Sequence, residues 1–328
     1  MDHVRSILVA VKDPGASQQR GVAKAAQLAR ALGAELTLFQ AVPAPSHAEE
    51  LTGASHRSSD SDHSILECQA GLLERIALRL RRRGLRVSAA VQWDHPVYSA
   101  ILRAAAEAHA DLIVAEAHPH GHHGAGLRRL TDWELVRHGP VPVLLVKRPE
   151  LYRRPRVLLA LDPDHTFGKP LSLDAEILAL GSAVTQAVHG TLHAVYAFAP
   201  IDPRMVSDGV VSAQAVAKIQ RDNEAIAAEK LAKAVGEVGI PTVNQHVVGR
   251  HVPDAIEQVA AQSHSAIVVV GAVARSGLTS VLIGNTAERL FDSLTCDLLV
   301  IKPREPAQRP QRATRPTEFP TVPVIPGM

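Results

Sequence analysis

The two halves of this sequence repeat each other. A shift of 155 residues places the apolar run that begins at Asp111 on the run that begins at Ala266, and the run at Val143 on the run at Leu298, without a gap. Each half must therefore fold to the same plan. The 328 residues are enough for two domains with substantial cores.

Apolar, β-branched runs alternate with amphipathic stretches along both halves. In the first half they predict strands at 6–11, 35–42, 87–92, 111–115 and 141–146, with helices at about 17–32, up to 83, 97–108 and 132–137. The second half starts again with a strand at 156–162 and keeps the same order. Because parallel neighbours need crossover helices, this alternation indicates an α/β fold with a parallel sheet in each half.

The domain boundaries follow from where this pattern is interrupted. Prolines and arginines break it between Pro149 and Pro155, so we expect one domain at residues 1–150 and a second at 151–303. Residues 304–328 are rich in proline and arginine and have no apolar periodicity, which predicts a disordered tail.

A strand, a glycine loop and a helix start follow one another in the second half. The run at 268–270 predicts a buried strand, Gly271 follows where it stops, and Gly284 precedes an amphipathic helix. Asn285 is expected to cap a helix that begins at Thr286, with a glutamate three residues beyond the cap to complete a capping box. Free backbone N–H groups at such a helix start attract phosphate. The glycines could equally serve only to turn a strand into a helix.

The spacing of this loop resembles that of a known family. Gly271, Ala274, Gly284 and Asn285 lie at i, i+3, i+13 and i+14, similar to the nucleotide loop G-x2-G-x9-G-S/T of the universal stress protein (UspA-like) family. Ala274 replaces the second glycine, and Asn285 replaces the serine or threonine. The resemblance covers residues 4–303 and is closest to the tandem-domain, UspE-type branch.

That resemblance implies a fold and a ligand. The fold would be two tandem Rossmann-like domains, each with a five-stranded parallel sheet flanked by helices, packed as an internal pseudo-dimer. The ligand would be an adenine nucleotide, ATP, with Asp162 at the adenosine and Val270 beside it. The phosphates would lie against Gly271, Ala274, Gly284, Asn285 and Thr286. Without a ligand, Asp162 would be a turn residue before a proline.

The first half departs from the family pattern at each of these positions. Lys12 stands in place of the aspartate, Glu116 in place of the first glycine and Arg129 in place of the last. A carboxylate at 116 would oppose the close approach of a phosphate, so we expect no nucleotide in this half. Thr131 and Glu134 still form a capping-box pattern, which predicts a helix start there.

A histidine-rich segment replaces the glycine loop in the first half. Imidazoles at this density can bind zinc or nickel. No cysteine accompanies them, so we expect a solvent-exposed loop and no metal. The low-ranking metal candidates are His118, His120, His122 and His123.

Composition and missing motifs exclude several functions. A formal charge of +2 gives no case for direct nucleic-acid binding, and the two cysteines have no metal or redox spacing. The chain lacks the P-loop, the nucleophile elbow and the zinc helix of common hydrolases. We therefore expect a soluble cytoplasmic protein that is not an enzyme and has no membrane segment.

Two functional hypotheses remain open, and a slow ATP hydrolase is a third that ranks below them. In the first, ATP binds in the second half and regulates stress resistance without turnover. In the second, the nucleotide site is vestigial and the chain is a ligand-independent interaction scaffold. Protein partners are unknown, and a homodimer is compatible with edge strands at 141–146 and 298–301 that could pair with each other or with another chain.

Overall fold

The ten strands of the described chain form one continuous sheet. The structure, a computed structural model, describes residues 4–42, 59–117, 126–164, 171–200, 212–272 and 285–303. In the first half the strands are β1 (Ser6–Ala10), β2 (Glu35–Val42), β3 (Val87–Trp93), β4 (Leu112–Glu116) and β5 (Val143–Val146). In the second half they are β6 (Arg156–Leu161), β7 (Thr191–Phe198), β8 (Gln245–Gly249), β9 (Ile267–Gly271) and β10 (Asp297–Ile301).

Strand order confirms the repeat. The sheet runs β3-β2-β1-β4-β5-β10-β9-β6-β7-β8, so each half has the order 3-2-1-4-5 and the two halves are joined edge to edge. Neighbours within each half are parallel, which confirms the predicted α/β class. In each half the order reverses between the first and fourth strands, which is where ligands bind in open parallel sheets.

Helices cover both faces of the sheet. One layer contains α1 (Arg20–Leu32), α2 (Ser59–Arg81), α5 (Leu171–Ala187) and α6 (Ala213–Val235), which pack into one hydrophobic cluster. The other contains α3 (Val97–Glu107), α4 (Gly126–His138), α7 (Val252–Gln262) and α8 (Asn285–Ser293), which pack into a second. None of these described helices is both long and apolar enough to cross a membrane.

Two predicted helix starts are wrong. The helix expected at 132–137 begins at Gly126, so Thr131 lies inside it and does not cap it. The leucines and arginines just after Gly126 are good helix formers, and they extend the helix past the capping-box pattern. In the second half, α8 begins at Asn285, one residue before the predicted start. The side chain of Asn285 is outside the described part of the chain, as is the tail at 304–328.

The halves join through one antiparallel strand pair. Leu298 is opposite Leu145 and Val300 is opposite Val143, so of the two pairings that the sequence left open these edge strands form the one with each other. Leucines of both strands belong to the clusters on each face of the sheet, so the two cores run without interruption from one half into the other. The chain is therefore an internal pseudo-dimer.

A buried carboxylate joins the halves at the start of β10. Asp297 is 0% exposed and pairs with Lys24 of α1, which is 1% exposed. The Tyr152 hydroxyl donates to the same carboxylate at 2.5 Å, and the Lys147 and Arg148 backbone N–H groups donate at 2.8 and 3.1 Å. We name these residues the Asp297 cluster. All four of these donors come from the first half or the linker, so the cluster holds the second half against them.

Two lysines related by the 155-residue shift cap helices of the opposite half. Lys147 donates to the carbonyls of Phe291 and Leu294 at the end of α8, at 2.5 and 2.7 Å. Lys302 donates to the carbonyl of Arg137 near the end of α4. Each ammonium group meets the negative end of a helix dipole, so the interface is stabilised twice by the same contact. Burial lowers the pKa of both lysines to about 8.

We predict that Lys24→Met destabilises the fold strongly. The substitution leaves the Asp297 carboxylate buried without its cation, and breaking such a pair costs about 3–5 kcal/mol. Urea denaturation measures this loss. Arg86→Gln is the matched control, because the Arg86–Glu35 pair is 69% and 59% exposed and is worth about 1 kcal/mol or less. Equal losses in the two variants would contradict a structural role for the buried pair.

We also predict that stability rises with pH between about 8 and 9. Lys147 and Lys302 have a pKa of about 8 in the fold, against an ordinary lysine pKa of 10.5, so the unfolded chain holds more protons in this window. Above pH 9 Cys296 begins to lower the stability, because burial raises its pKa to about 11 and the folded chain then holds a proton that the unfolded chain loses. Lys147→Met and Lys302→Met should each flatten the rise in thermal midpoint, whereas Lys218→Met, at an exposed position, should not. An unchanged slope in both interface variants would contradict the assignment.

Candidate functional site

The sequence-predicted site of the second half begins at the ends of two neighbouring strands. β6 and β9 pair in parallel with Leu159 opposite Val269, so β6 ends beside Gly271. Asp162 is the first residue after β6 and is partly exposed, while Val270 is buried on the strand. Asp162 and Gly271 therefore border one crevice at the point where strand order reverses.

The turn that carries Asp162 is held at both ends. The Asp162 backbone N–H donates to the Asp174 carboxylate of α5 at 3.1 Å. Two residues later, the Asp164 carboxylate accepts a hydrogen bond from the Tyr196 hydroxyl at 2.5 Å and pairs with Lys230 of α6 at 2.6 Å. Burial, followed by the hydrogen bond to Asp164, raises the pKa of Tyr196, so this hydroxyl keeps its proton.

These supporting residues are absent from the sequence-based prediction. Asp174, Tyr196 and Lys230 lie on three different elements and share no spacing with the glycine loop. A local signal was the pair of aspartates at 162 and 164, which marks a polar turn at the end of β6. Their partners could not be read from local pattern.

Gly271 has a packing role that the sequence did not indicate. A Cβ at this position would lie 2.7 Å from Leu173 Cδ2 and 3.2 Å from Ile177 Cδ1, both on α5. Because real Cβ atoms do not approach a neighbour this closely, any larger residue at 271 would have to displace Leu173, so the packing of α5 favours glycine whether or not a phosphate binds. Packing alone is therefore sufficient to explain the residue.

The rest of the predicted phosphate loop lies outside the described residues. This applies to Ala274 and Gly284, and to the side chain of Asn285. Thr286 is described, and it lies partly buried in the first turn of α8. The first-turn backbone N–H groups of α8 have no partner within the helix, as a phosphate site requires.

The first half has an internal anion in its equivalent crevice. Glu116 is the last residue of β4 and follows Ala115, which pairs with Ala10 of β1. Its Oε1 accepts a hydrogen bond from the Gly21 N–H at 2.8 Å. Gly21 is the second residue of α1, and the Gln19 side chain does not cap that helix. The Glu116 carboxylate therefore occupies the helix start to which an external anion would bind.

At this contact between strand and helix each half has one glycine, but in the first half it lies on the helix (Gly21) and in the second on the strand (Gly271). Gly33 and His189 follow α1 and α5 and both have left-handed backbone angles, so these two residues correspond. In this part of the repeat the offset between the halves is therefore 156 residues. This shift places Gly21 on Ile177. In the first half, Gly21 leaves room for the Glu116 side chain, whose Cγ would lie only 3.0 Å from a Cβ at position 21. In the second half, Gly271 leaves room for Ile177 instead.

Lys12 is also satisfied within the first half. Its ammonium group lies 3.6 Å from the carboxylate of Asp132, a residue of α4 that is 1% exposed. This ion pair connects the end of β1 with α4, across the region that corresponds to the nucleotide crevice of the second half. The absence of a nucleotide site from the first half stays a prediction, with Glu116 and the Lys12–Asp132 pair as its support.

The metal candidates all belong to the histidine-rich segment of the first half. His118, His120, His122 and His123 lie outside the described residues. Among the residues that the structure does describe, no group of three or more His, Cys, Asp or Glu side chains could hold a metal ion. Cys68 is exposed and Cys296 is buried, and both are free thiols.

Comparisons with known proteins agree with the fold. The family model described as the universal stress protein family matches residues 3–147 and again residues 155–302. Universal stress protein E of Salmonella typhi is 28% identical over 316 residues, covering 91% of this chain and 94% of the relative. The solved structure of a protein of unknown function from Pseudomonas aeruginosa PAO1 has a TM-score of 0.67 at 26% identity, over 92% of this chain and 93% of that one. A universal stress protein from Pseudomonas aeruginosa UCBPP-PA14 gives a TM-score of 0.66 at 27% identity, over 92% and 94%.

We predict that Gly271→Ala destabilises the protein in the absence of any nucleotide. The new methyl group must displace Leu173, which costs about 1–3 kcal/mol. In a double-mutant cycle, Leu173→Ala should recover part of this cost. The control is Gly236→Ala, since Gly236 has helical angles and a Cβ there meets nothing closer than 3.5 Å. A Gly271→Ala variant as stable as the unmodified chain would show that packing does not require this glycine.

Proposed function

The chain belongs to the universal stress protein family and shares the tandem organisation of UspE proteins, and on this premise we propose that its second half binds ATP. The observation that carries the proposal is the juxtaposition of Asp162 and Gly271 at the reversal point of the sheet. The turn beside this crevice is held by Asp174, Tyr196 and Lys230, so an approaching adenosine would meet a preorganised carboxylate.

The first half serves as the structural partner of this site. Its own crevice contains Glu116 at the α1 start and the Lys12–Asp132 pair. A phosphate there would have to displace a carboxylate that is already hydrogen-bonded, so one nucleotide per chain is expected. The function is binding without turnover, since the described crevice has no activated nucleophile or evident general base beside the phosphate position.

A path from the site to the first half runs along α8. Its first turn follows the loop that would contact the phosphates, and its last carbonyls accept hydrogen bonds from Lys147 of the first half. A nucleotide that orders the start of α8 would therefore affect the Lys147 contacts at the other end of this helix. We propose this coupling as the regulatory output.

One observation favours the alternative of a ligand-independent scaffold. Gly271 is explained by the packing of Leu173 and Ile177 alone, so its presence does not require a phosphate. In that case the crevice is vestigial, and the surface of the pseudo-dimer carries the function.

Calorimetry with ATP separates the two functions. We expect one site per chain in the unmodified protein, and loss of binding in Gly284→Trp, because the indole would fill the helix start that receives the phosphates. The matched control is Arg129→Trp, which places the same side chain at the equivalent position of the first half and should leave binding intact. Asp162→Asn should weaken binding about tenfold, at the cost of one charge-assisted hydrogen bond.

Three results would contradict the ATP proposal. These are the absence of heat at millimolar ATP, two sites per chain, or a site that survives Gly284→Trp and disappears in Arg129→Trp. Unfolding curves of each variant establish that the fold persists. If no heat is released while all variants fold, the scaffold function is the one that remains.

A further inference from the structure

A second concave site lies between the halves, away from the crevice. A cleft of about 470 Å³ opens where α1, the linker and the end of α5 meet. Its lining includes Gln27, Tyr152, Arg153, Arg154 and His189. The linker precedes β6 and His189 precedes β7, so the cleft is at the amino ends of these strands, whereas Asp162 is at the carboxyl end. A volume of this size suits a small molecule, and domain interfaces are common places for such sites.

The cleft has an excess of positive charge. Arg153 and Arg154 are exposed, and neither guanidinium pairs with a carboxylate in the part of the chain that the structure describes. The nearby carboxylate of Asp297 is buried beneath Tyr152 and already has Lys24 as its cation. The end of α5 contributes only about half a negative charge, which two full guanidinium charges outweigh.

The two arginines are presented from an anchored turn. On one side, Gln27 of α1 exchanges two hydrogen bonds with the backbone of Tyr152, at 2.6 and 3.0 Å. On the other side, the carbonyl of Pro155 accepts from the Thr191 N–H at 2.8 Å.

Between these anchors, Arg154 has a φ of 48°, a left-handed conformation that non-glycine residues rarely adopt. Sparsely populated conformations of this kind persist where the surroundings fix them, and they are concentrated at ligand sites.

We propose that this linker cleft binds a small molecule through phosphate or carboxylate groups. Guanidinium forks match both groups with pairs of parallel hydrogen bonds, and two adjacent arginines suit a ligand with two or more such groups. An occupant contacts α1 of the first half, the linker and α5 of the second half together. It therefore stabilises the arrangement of the halves next to the Asp297 cluster.

Titration calorimetry of the full chain with inorganic pyrophosphate, and separately with citrate, tests the site. We expect binding that is weakened at least tenfold in the double variant Arg153→Gln, Arg154→Gly. Glycine at 154 tolerates the left-handed backbone, so this variant should fold at least as well as the unmodified chain. The matched control is Arg82→Gln, Arg83→Gln, which removes the same charge from exposed positions at the end of α2.

Pyrophosphate could also bind at the start of α8, and Gly284→Trp separates the two sites. Binding that survives Gly284→Trp and is lost in the Arg153, Arg154 variant supports the linker cleft, irrespective of whether ATP binds in the crevice. Tighter binding of pyrophosphate identifies phosphate as the recognised group, and tighter binding of citrate identifies carboxylate. Equal binding in the linker and control variants, or no binding of either probe, would overturn the proposal.

Discussion

The pairing of Lys24 with Asp297 determines how the two halves fit together. These residues are 273 positions apart, and both are removed from solvent. A buried ion pair adds little net stability compared with apolar residues, but one partner alone is costly, so the pair selects the one arrangement in which both charges are satisfied. Tyr152 of the linker and the Lys147 backbone complete the cluster, and therefore the start of the linker path depends on the same carboxylate.

Around this asymmetric contact the interface is nearly two-fold symmetric. Lys147 and Lys302 cap helices reciprocally, and β5 and β10 pair with opposite directions. The two halves differ most clearly in their crevices. Glu116 and Gly21 fill the first, while in the second Gly271 and Ile177 take their places and the nearby carboxylate is that of Asp174 on α5. The two halves thus share one fold but differ in the side chains that line the crevice.

The sequence predicted what depends on local pattern. Strands β1 to β10 follow apolar runs, and the pairing of β5 with β10 is one of the two alternatives that the sequence left open for these edge strands. It could not predict the Asp297 cluster, because no periodicity relates Lys24 to a carboxylate in the other half. Thr131 misled the prediction of the α4 start, because a capping motif indicates where a helix can begin and helix-forming neighbours can extend it further. The Gly21–Ile177 correspondence was missed because the shift there is 156 residues, whereas it is 150 at β1 and 155 at β4 and β5.

The central claim is that the nucleotide belongs to the second half alone. Photoaffinity labelling with an azido derivative of ATP, followed by mass spectrometry of the peptides, locates the bound base directly on the full chain. We expect the label on second-half peptides near Asp162 and Asp174, and competition by unmodified ATP. A competed label on the first half, near Lys12 and Gly21, would contradict the claim, because it would place the nucleotide in the crevice that Glu116 occupies.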